Sequence, residues 1–460
     1  MKFHFKNIGL IKNASVELGD LTILAGPNNT GKTYISYTLY GFFETWIDHF
    51  SLGDEIQRIV EELKSTRHAK LDLSRVDFEK IFSDSTKQYT LRMYEIFSAR
   101  REEFQRAEFL MEVESPLKVL TNNKKERSIK GNFKGAVLLI KLHFVGDAPF
   151  ISFSLDDKID NLILDDGFIS HGIARIIFPS FFSDSYICVS ERLGIPLFYR
   201  DLDIQKIEMV EQLQKLTDDP ESRDPIVGFS KILKGIRTRY ALPVRDNIDF
   251  IRSIPDFIKN DSSTGIAELN EYIISMTGGV YRHKLEEGLL FSSKPYSRAN
   301  KFSLTSNLWS SSVKSLSYLF FYLKHVAESG HLLIIDEPEI HLTPKNQIIL
   351  ARLLAACVGK GIKVLVTTHS DYLIKEFNNL IMLHNLSEND RTDFLSQPKS
   401  PYKPSEMLNP DRVRAYVCQK GGVTPCPIDQ YGISVAFMDE AIHEINETAN
   451  DLMNRIDREH

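Results

Sequence analysis

An α/β fold is what this sequence predicts, and three apolar runs predict it. Leu21-Thr22-Ile23-Leu24-Ala25 leads into a glycine-containing loop, Leu332-Leu333-Ile334-Ile335 into Asp336-Glu337, and Val364-Leu365-Val366-Thr367 towards His369. Short, near-continuous apolar runs suit strands buried on both faces of a sheet. Long charged stretches with helical spacing separate the first run from the other two. The fold is therefore expected to be interrupted by two mainly helical insertions.

In chain order, Phe3 and Phe5, then Ala14, Val16 and Leu18, alternate as strand residues do, with Gly19-Asp20 as a turn. Residues 1–50 are read as the first part of an α/β head, closing with a helix from Tyr34 to Asp48. Residues 51–115 are read as a helical insertion. There Ile56, Ile59, Val60 and Leu63 recur at helical spacing, Tyr94, Phe97, Phe104 and Phe109 more loosely, and Arg100-Arg101-Glu102-Glu103 is a solvated face. Residues 116–203 are read as a β subdomain, with strands at 136–144, 150–155 and 185–189. Residues 204–275 form the second helical insertion, broken near Asp218-Asp219-Pro220 and Ala241-Leu242-Pro243. Residues 276–385 complete the head, and 386–460 are a C-terminal extension. In that extension Phe437, Ile442, Ile445, Leu452 and Ile456 make a loose apolar stripe, which serves either core packing or partner docking.

Composition narrows the class. Hydrophobic residues at 42% and charged residues at 26% are usual for a soluble globular protein. No run of about 18 apolar residues suggests a membrane span, and Met1 to Lys6 alternates like a strand, without a signal-peptide core. A net charge of −6 argues against a surface coated in positive charge for DNA, although a local basic track remains compatible with it. Two stretches are candidates. Lys124-Lys125-Glu126-Arg127 with Lys130 and Lys134 reads as a solvated hairpin turn. Lys231 to Arg245, with Lys234, Arg237, Arg239 and the interleaved Tyr240, is the candidate DNA contact. Cys188, Cys357, Cys418 and Cys426 lack metal-type spacing, and sparse thiols fit a reducing cytoplasm.

The strongest local signal is Gly26-Pro27-Asn28-Asn29-Thr30-Gly31-Lys32-Thr33, which matches GxxxxGK[ST] at every fixed position. Glycines let such a loop turn tightly, so that successive backbone N–H groups point at phosphate oxygens. The following helix adds its positive N-terminal end. Gly26, Asn28, Asn29, Thr30 and Gly31 are thus expected to cradle the phosphates of ATP. Lys32 would reach the β and γ phosphates, and Thr33 would hold Mg²⁺. Asp336 would bind the same ion through water, and Glu337 would polarise the attacking water. His369, at the end of another apolar strand, is expected to sense the γ phosphate.

Together, the glycine loop, Ile335-Asp336-Glu337-Pro338-Glu339-Ile340-His341-Leu342 and Thr367-Thr368-His369-Ser370 resemble ABC-type ATPases of the SMC/RecF/OLD branch. The resemblance covers roughly the first 50 residues and 280–383. It implies an ABC-type P-loop head with a mixed sheet and an antiparallel β subdomain. It also implies a homo-oligomer in which two heads sandwich two ATPs, each facing the other head's signature helix. Here the signature position holds Trp309-Ser310-Ser311-Ser312-Val313-Lys314-Ser315-Leu316, which keeps serines but lacks both signature glycines. Ser311 and Ser312 are assigned to γ-phosphate contact, against the alternative of an ordinary serine-rich helix cap. Ser190-Glu191-Arg192-Leu193-Gly194 occupies the Q-loop place without its glutamine, and Glu191-Arg192 is similar to a Glu-Arg pair of prokaryotic AAA-type members. That pair is read either as coupling residues or as a plain surface ion pair.

Two short stretches, 311–316 and 368–383, are similar to ATPase subunits of bacterial anti-phage systems, PtuA-like Septu ATPases foremost. In those systems a separate nuclease or effector chain does the damage. The 460-residue chain leaves 91 positions after His369, too few for a Toprim nuclease once the head is complete, and shows no HNH-like histidine cluster. The expected function is therefore an ATP-hydrolysing switch that controls a separate nuclease and is not itself one. The alternative is an SMC/RecF-type DNA-repair or chromosome clamp. A transporter motor is disfavoured, because 304 positions and two insertions separate Lys32 from Asp336.

Overall fold

The computed structural model describes residues 1–122, 124–133, 136–156, 166–182, 184–196, 240–260, 263–284, 287–293 and 303–456. Strands β1 (Lys2–Ile8), β2 (Ile11–Glu17) and β3 (Leu21–Ala25) precede the helix Lys32–Thr45. Strands β4 (His68–Asp72), β5 (Glu108–Glu112), β6 (Arg127–Phe133), β7 (Ala136–Val145), β8 (Ala148–Leu155) and β9 (Ser185–Cys188) follow. Then come β10 (Gly279–Lys284), β11 (Gly288–Ser293), β12 (Ser303–Thr305), β13 (Leu332–Asp336), β14 (Lys363–Thr368), β15 (Val413–Gln419) and β16 (Gly422–Pro425). The chain divides into two compact units. One holds residues 1–17, 37–186 and 330–332; the other holds 18–36, 187–329 and 333–460.

The first unit is built on antiparallel pairing. β1 lies between β5 and β2, and a second sheet runs β4-β8-β7-β6. Alternation in β1 buries Phe3 and Phe5 while Lys2 and Lys6 stay in solvent. Two strands lie inside the stretch read as helical. β4 buries only Ala69 and Leu71, and β5 only Phe109 and Met111. Two apolar residues per strand leave too short an alternation to stand out between the helices Asp54–Thr66 and Phe78–Ile96. Phe109, counted with the helical spacing, instead pairs opposite Phe5. The core is aromatic: Phe42 packs its ring within 5.2 to 6.5 Å of Phe3, Phe43, Tyr89, Phe109 and Phe182.

In the second unit β3 is buried along its whole length, between β14 and β15, and runs parallel to both. The order there is β16-β15-β3-β14-β13-β9, with β16 antiparallel to β15. β10, β11 and β12 form a separate antiparallel sheet. Side-chain caps fix where the covering helices begin. Thr343 accepts from the Asn346 N–H, with Pro344 in the first turn of the helix Pro344–Gly359, and Ser370 accepts from the Leu373 N–H for Asp371–Asn385. A buried strand feeding a glycine loop and a helix, within a mixed sheet, is an α/β P-loop arrangement.

Of the second expected insertion, residues 204–239 lie outside the described residues, and Leu242–Lys259 and Asn270–Thr277 are helices. The C-terminal extension ends in the helix Ala436–Ile456. Ile445, Leu452 and Ile456 are exposed on it at 69%, 56% and 58%, so core packing does not account for these three.

Phe42→Ala removes the ring that five aromatic neighbours share. We expect a loss of about 3–5 kcal/mol, the usual range for truncating a buried phenylalanine. Denaturant midpoints of the two proteins check this, and a change below about 1 kcal/mol would contradict the packing account.

Candidate functional site

Three strand ends meet in the second unit. The register sets Ala25 at the end of β3 beside Thr368 at the end of β14, and the Gly26 N–H donates to the Thr368 carbonyl at 3.2 Å. β13 is the next strand, and the Glu337 N–H donates to both the carbonyl and the hydroxyl of Thr367, at 3.2 and 3.0 Å. The polar residues that follow three apolar runs are thus delivered to one edge of one sheet.

The glycine loop has the backbone its sequence demands. Gly26 has φ +153°, Gly31 +99°, and Asn29 takes the left-handed value of +61°. A β-carbon on Gly26 would come 2.4 Å from the Cys418 carbonyl oxygen, so only glycine lets the loop approach β15 this closely. Asn28 and Asn29 are exposed at the tip, and the Thr30 hydroxyl donates to the Pro27 carbonyl at 2.9 Å. Lys32 is buried at 4% exposure, and its Nζ donates to the Gly26 and Pro27 carbonyls, both at 2.8 Å. Thr33 reaches across the sheet edge, its hydroxyl donating to Asp336 Oδ2 at 2.9 Å.

Asp336 is fully buried. Thr33 donates to one oxygen of its carboxylate and Thr367 to the other. Desolvation raises its pKa to about 6, against the lowering effect of the two hydroxyls, and the nearby Glu337 carboxylate adds to the rise. Glu337 follows in a left-handed backbone, φ +47°, which costs a residue with a β-carbon on the order of 1–2 kcal/mol.

His369 lies beside two carboxylates. Its Nδ1 is 3.3 Å from Glu339 Oε1 and 3.9 Å from Glu337 Oε1. Glu339 was not singled out by the sequence, yet it organises this corner. Its Oε1 accepts from the Thr368 hydroxyl and the His369 N–H, both at 2.7 Å, while Oε2 is buried with no hydrogen-bond partner among the described residues. The second carboxylate of Glu-Pro-Glu was the available sequence signal.

Arg192 is likewise no surface ion pair. It is 2% exposed, donating from Nη1 to the Val189 and Asp336 carbonyls, from Nη2 to the Glu337 carbonyl and from Nε to the Ser315 hydroxyl, at 2.8 to 3.0 Å. Glu191, its neighbour, faces solvent. Gly26, Gly31, Lys32, Thr33, Asp336, Glu337 and His369 are thus linked through one sheet edge. Ser311 and Ser312 are placed apart from these contacts, in the first turn of the helix Ser311–His325. There Ser310 caps the Val313 N–H, and its hydroxyl lies 3.1 Å from that of Ser312.

In the first basic stretch two residues have partners. Lys124 pairs with Asp147 at 2.6 Å, and Arg127 donates to the Ile176 carbonyl and the Ser180 hydroxyl. Lys134, Lys231, Lys234, Arg237 and Arg239 lie outside the described residues.

The raised Asp336 value has a definite consequence. Its carboxyl loses its proton near 3.8 when unfolded and near 6 when folded, so in that window the folded state holds more protons. Stability contributed by this group therefore falls as pH rises from about 4 to 6, then levels off. Asp336→Asn lacks the effect and should gain about 3 kcal/mol relative to the parent between pH 4 and 7, in solution without Mg²⁺ or nucleotide. Denaturation curves at both pH values test this; a stability difference that does not change with pH contradicts it.

Residues 196–374 match the family described as AAA ATPase domain, a span that includes Asp336, Glu337 and His369 and leaves out the Gly26–Thr33 loop. No curated protein matches the chain. Among solved structures, one similar chain is the Smc head domain from Pyrococcus furiosus with an extended coiled coil, bound to the C-terminal domain of ScpA. It is 14% identical, with 97% of this chain and 98% of that one covered and a TM-score of 0.34. A second is an Smc head bound to the C-winged helix domain of ScpA, at 15% identity, 92% and 96% coverage and a TM-score of 0.33. A third, the SMC head domain from Thermotoga maritima, is 12% identical, with 93% and 98% covered and a TM-score of 0.30. The matched ATPase domain, together with the P-loop fold, supports an ATPase.

Proposed function

We propose that this chain binds MgATP at the Gly26–Thr33 loop and hydrolyses it, acting as a switch that controls a separate nuclease effector in an anti-phage complex. The observation that carries the ATPase reading is the Thr33–Asp336 contact at 2.9 Å, made across 303 positions of sequence, with Glu337 and His369 beside it. The hydroxyl and the carboxylate are hard oxygen donors, which suit Mg²⁺. When bound, that ion supplies positive charge to the β and γ phosphates.

The chain's own residues do the remaining work. Lys32 exchanges its two carbonyl acceptors for phosphate oxygens, and the loop amides hold the others. Gly26, Asn28, Asn29, Thr30 and Gly31 shape that cradle. Asp336 and Thr33 hold the ion's side of the site. Glu337 takes a proton from the attacking water as the bond from its oxygen to the γ phosphorus forms and the bond from that phosphorus to the β–γ bridging oxygen breaks, so that ADP leaves; His369 orders the γ-phosphate side. Ser311 and Ser312, at an exposed helix N-terminus, face a nucleotide held by a second copy of the chain. This makes the working form a homo-oligomer joined through its heads, in the cytoplasm.

The effector assignment rests on the likeness of residues 311–316 and 368–383 to anti-phage ATPase subunits. The competing reading, a DNA clamp, differs in needing DNA to stimulate turnover. Among the described residues no helix is long and apolar enough to cross a membrane.

Lys32→Ala should abolish tight ATP binding, because it removes the loop's only side-chain cation. Glu337→Gln should keep binding but lose on the order of 10²-fold or more in turnover. With ATP present, light scattering should also show its assembly outlasting that of the parent. Phosphate release and retention of labelled ATP check both variants. Hydrolysis by Glu337→Gln at the parental rate would remove Glu337 as the base.

A further inference from the structure

The Arg192 guanidinium connects two places that the hydrolysis reading leaves separate. Its Nη groups hold the carbonyls of Asp336 and Glu337, and its Nε holds Ser315, one turn into the helix whose N-terminus carries Ser311 and Ser312. A third anchor, the Val189 carbonyl, ties it to the end of β9. Arginine presents five N–H donors in a rigid planar fork, and four of these bonds are made at once. Lysine, a single rotatable ammonium, has no comparable reach.

The peptide that Arg192 grips is an unusual one. Glu337 has φ +47°, a conformation that a non-glycine residue keeps only where its surroundings impose it. On one side of this residue the N–H is held by Thr367; on the other the carbonyl is held by Arg192 Nη2. The direction of the Glu337 side chain is set between those two clamps. Any shift of the helix Ser311–His325 that moves Ser315 is carried by one side chain to the Glu337 carbonyl.

We propose that Arg192 is a positioning residue: it fixes the Glu337 backbone so that the carboxylate is aimed for hydrolysis, and it transmits the position of the Ser311–His325 helix to that carboxylate. The proposal rests on the reading of Glu337 as the base. It gives the chain a way to make hydrolysis depend on what binds at the N-terminus of that helix. Arg192, at 2% exposure, acts through the Glu337 backbone.

Arg192→Lys keeps the charge and loses the fork. ATP affinity should stay within a few-fold of the parent, while turnover falls by on the order of 10²-fold, as expected for a reacting group misplaced by about an ångström. In a Glu337→Gln background the same substitution should lower turnover no further, because both changes act through one carboxylate. Ser315→Ala, a milder change that keeps the fork, should reduce turnover by about three- to tenfold with unchanged ATP affinity.

Phosphate release, ATP affinity and melting temperature are measured on the full chain for all four variants. Parental turnover in Arg192→Lys overturns the proposal, as does a loss that adds in full to that of Glu337→Gln. Should Arg192→Lys fail to fold, Ser315→Ala decides, and parental turnover there overturns the proposal. If Glu337→Gln itself turns over at the parental rate, the reading of the base fails and this inference falls with it. A loss in Glu337→Gln, with parental rates in both Arg192→Lys and Ser315→Ala, ends this inference alone.

Discussion

Everything at this sheet edge depends on one buried carboxylate. Asp336 has no exposure to solvent, and a negative charge in such a place is tolerated only with donors at hand. Thr33 and Thr367 supply one hydroxyl each, from the helix after the glycine loop and from β14. The Asp336 backbone carbonyl is engaged too, by Arg192. A single residue thereby fastens the loop, two strand ends and the Glu191-Arg192 segment to one another. Its raised proton affinity expresses the tension of this arrangement, since two hydroxyls only partly offset the lost hydration.

Natural sequences break local rules mainly at functional sites, where the surrounding fold supplies the compensation. Here the departures cluster within a few residues: a buried acid at Asp336, a left-handed backbone at Glu337, and a buried Glu339 oxygen without a partner among the described residues. The surrounding strands are regular, β3 and β13 buried throughout and β14 buried from Val364 onwards, as a rigid scaffold for such a cluster should be.

Much of the head was legible in the sequence because its signals are local. The glycine loop matches at fixed spacing, and β3, β13 and β14 are short apolar runs that end in polar residues. What could not be read is what depends on distant partners. Arg192 looked like half of an Arg–Glu pair because its four acceptors lie on Val189, Ser315, Asp336 and Glu337, three of them more than 120 positions away. Glu339 was visible only as a letter in Glu-Pro-Glu, since its partners Thr368 and His369 come from another strand. β4 and β5 were lost among helices because each buries only two side chains. The stripe at Ile445, Leu452 and Ile456 has helical spacing, but spacing alone does not say whether a face is covered.

We propose that Thr33 and Asp336 complete a site for a nucleotide and a divalent cation together. Calorimetric titration of ATP into the purified chain, with and without Mg²⁺, tests it most directly. One ATP should bind per chain, with affinity that drops sharply when Mg²⁺ is withheld. Binding that is equally tight without the ion, or no binding in its presence, would contradict it.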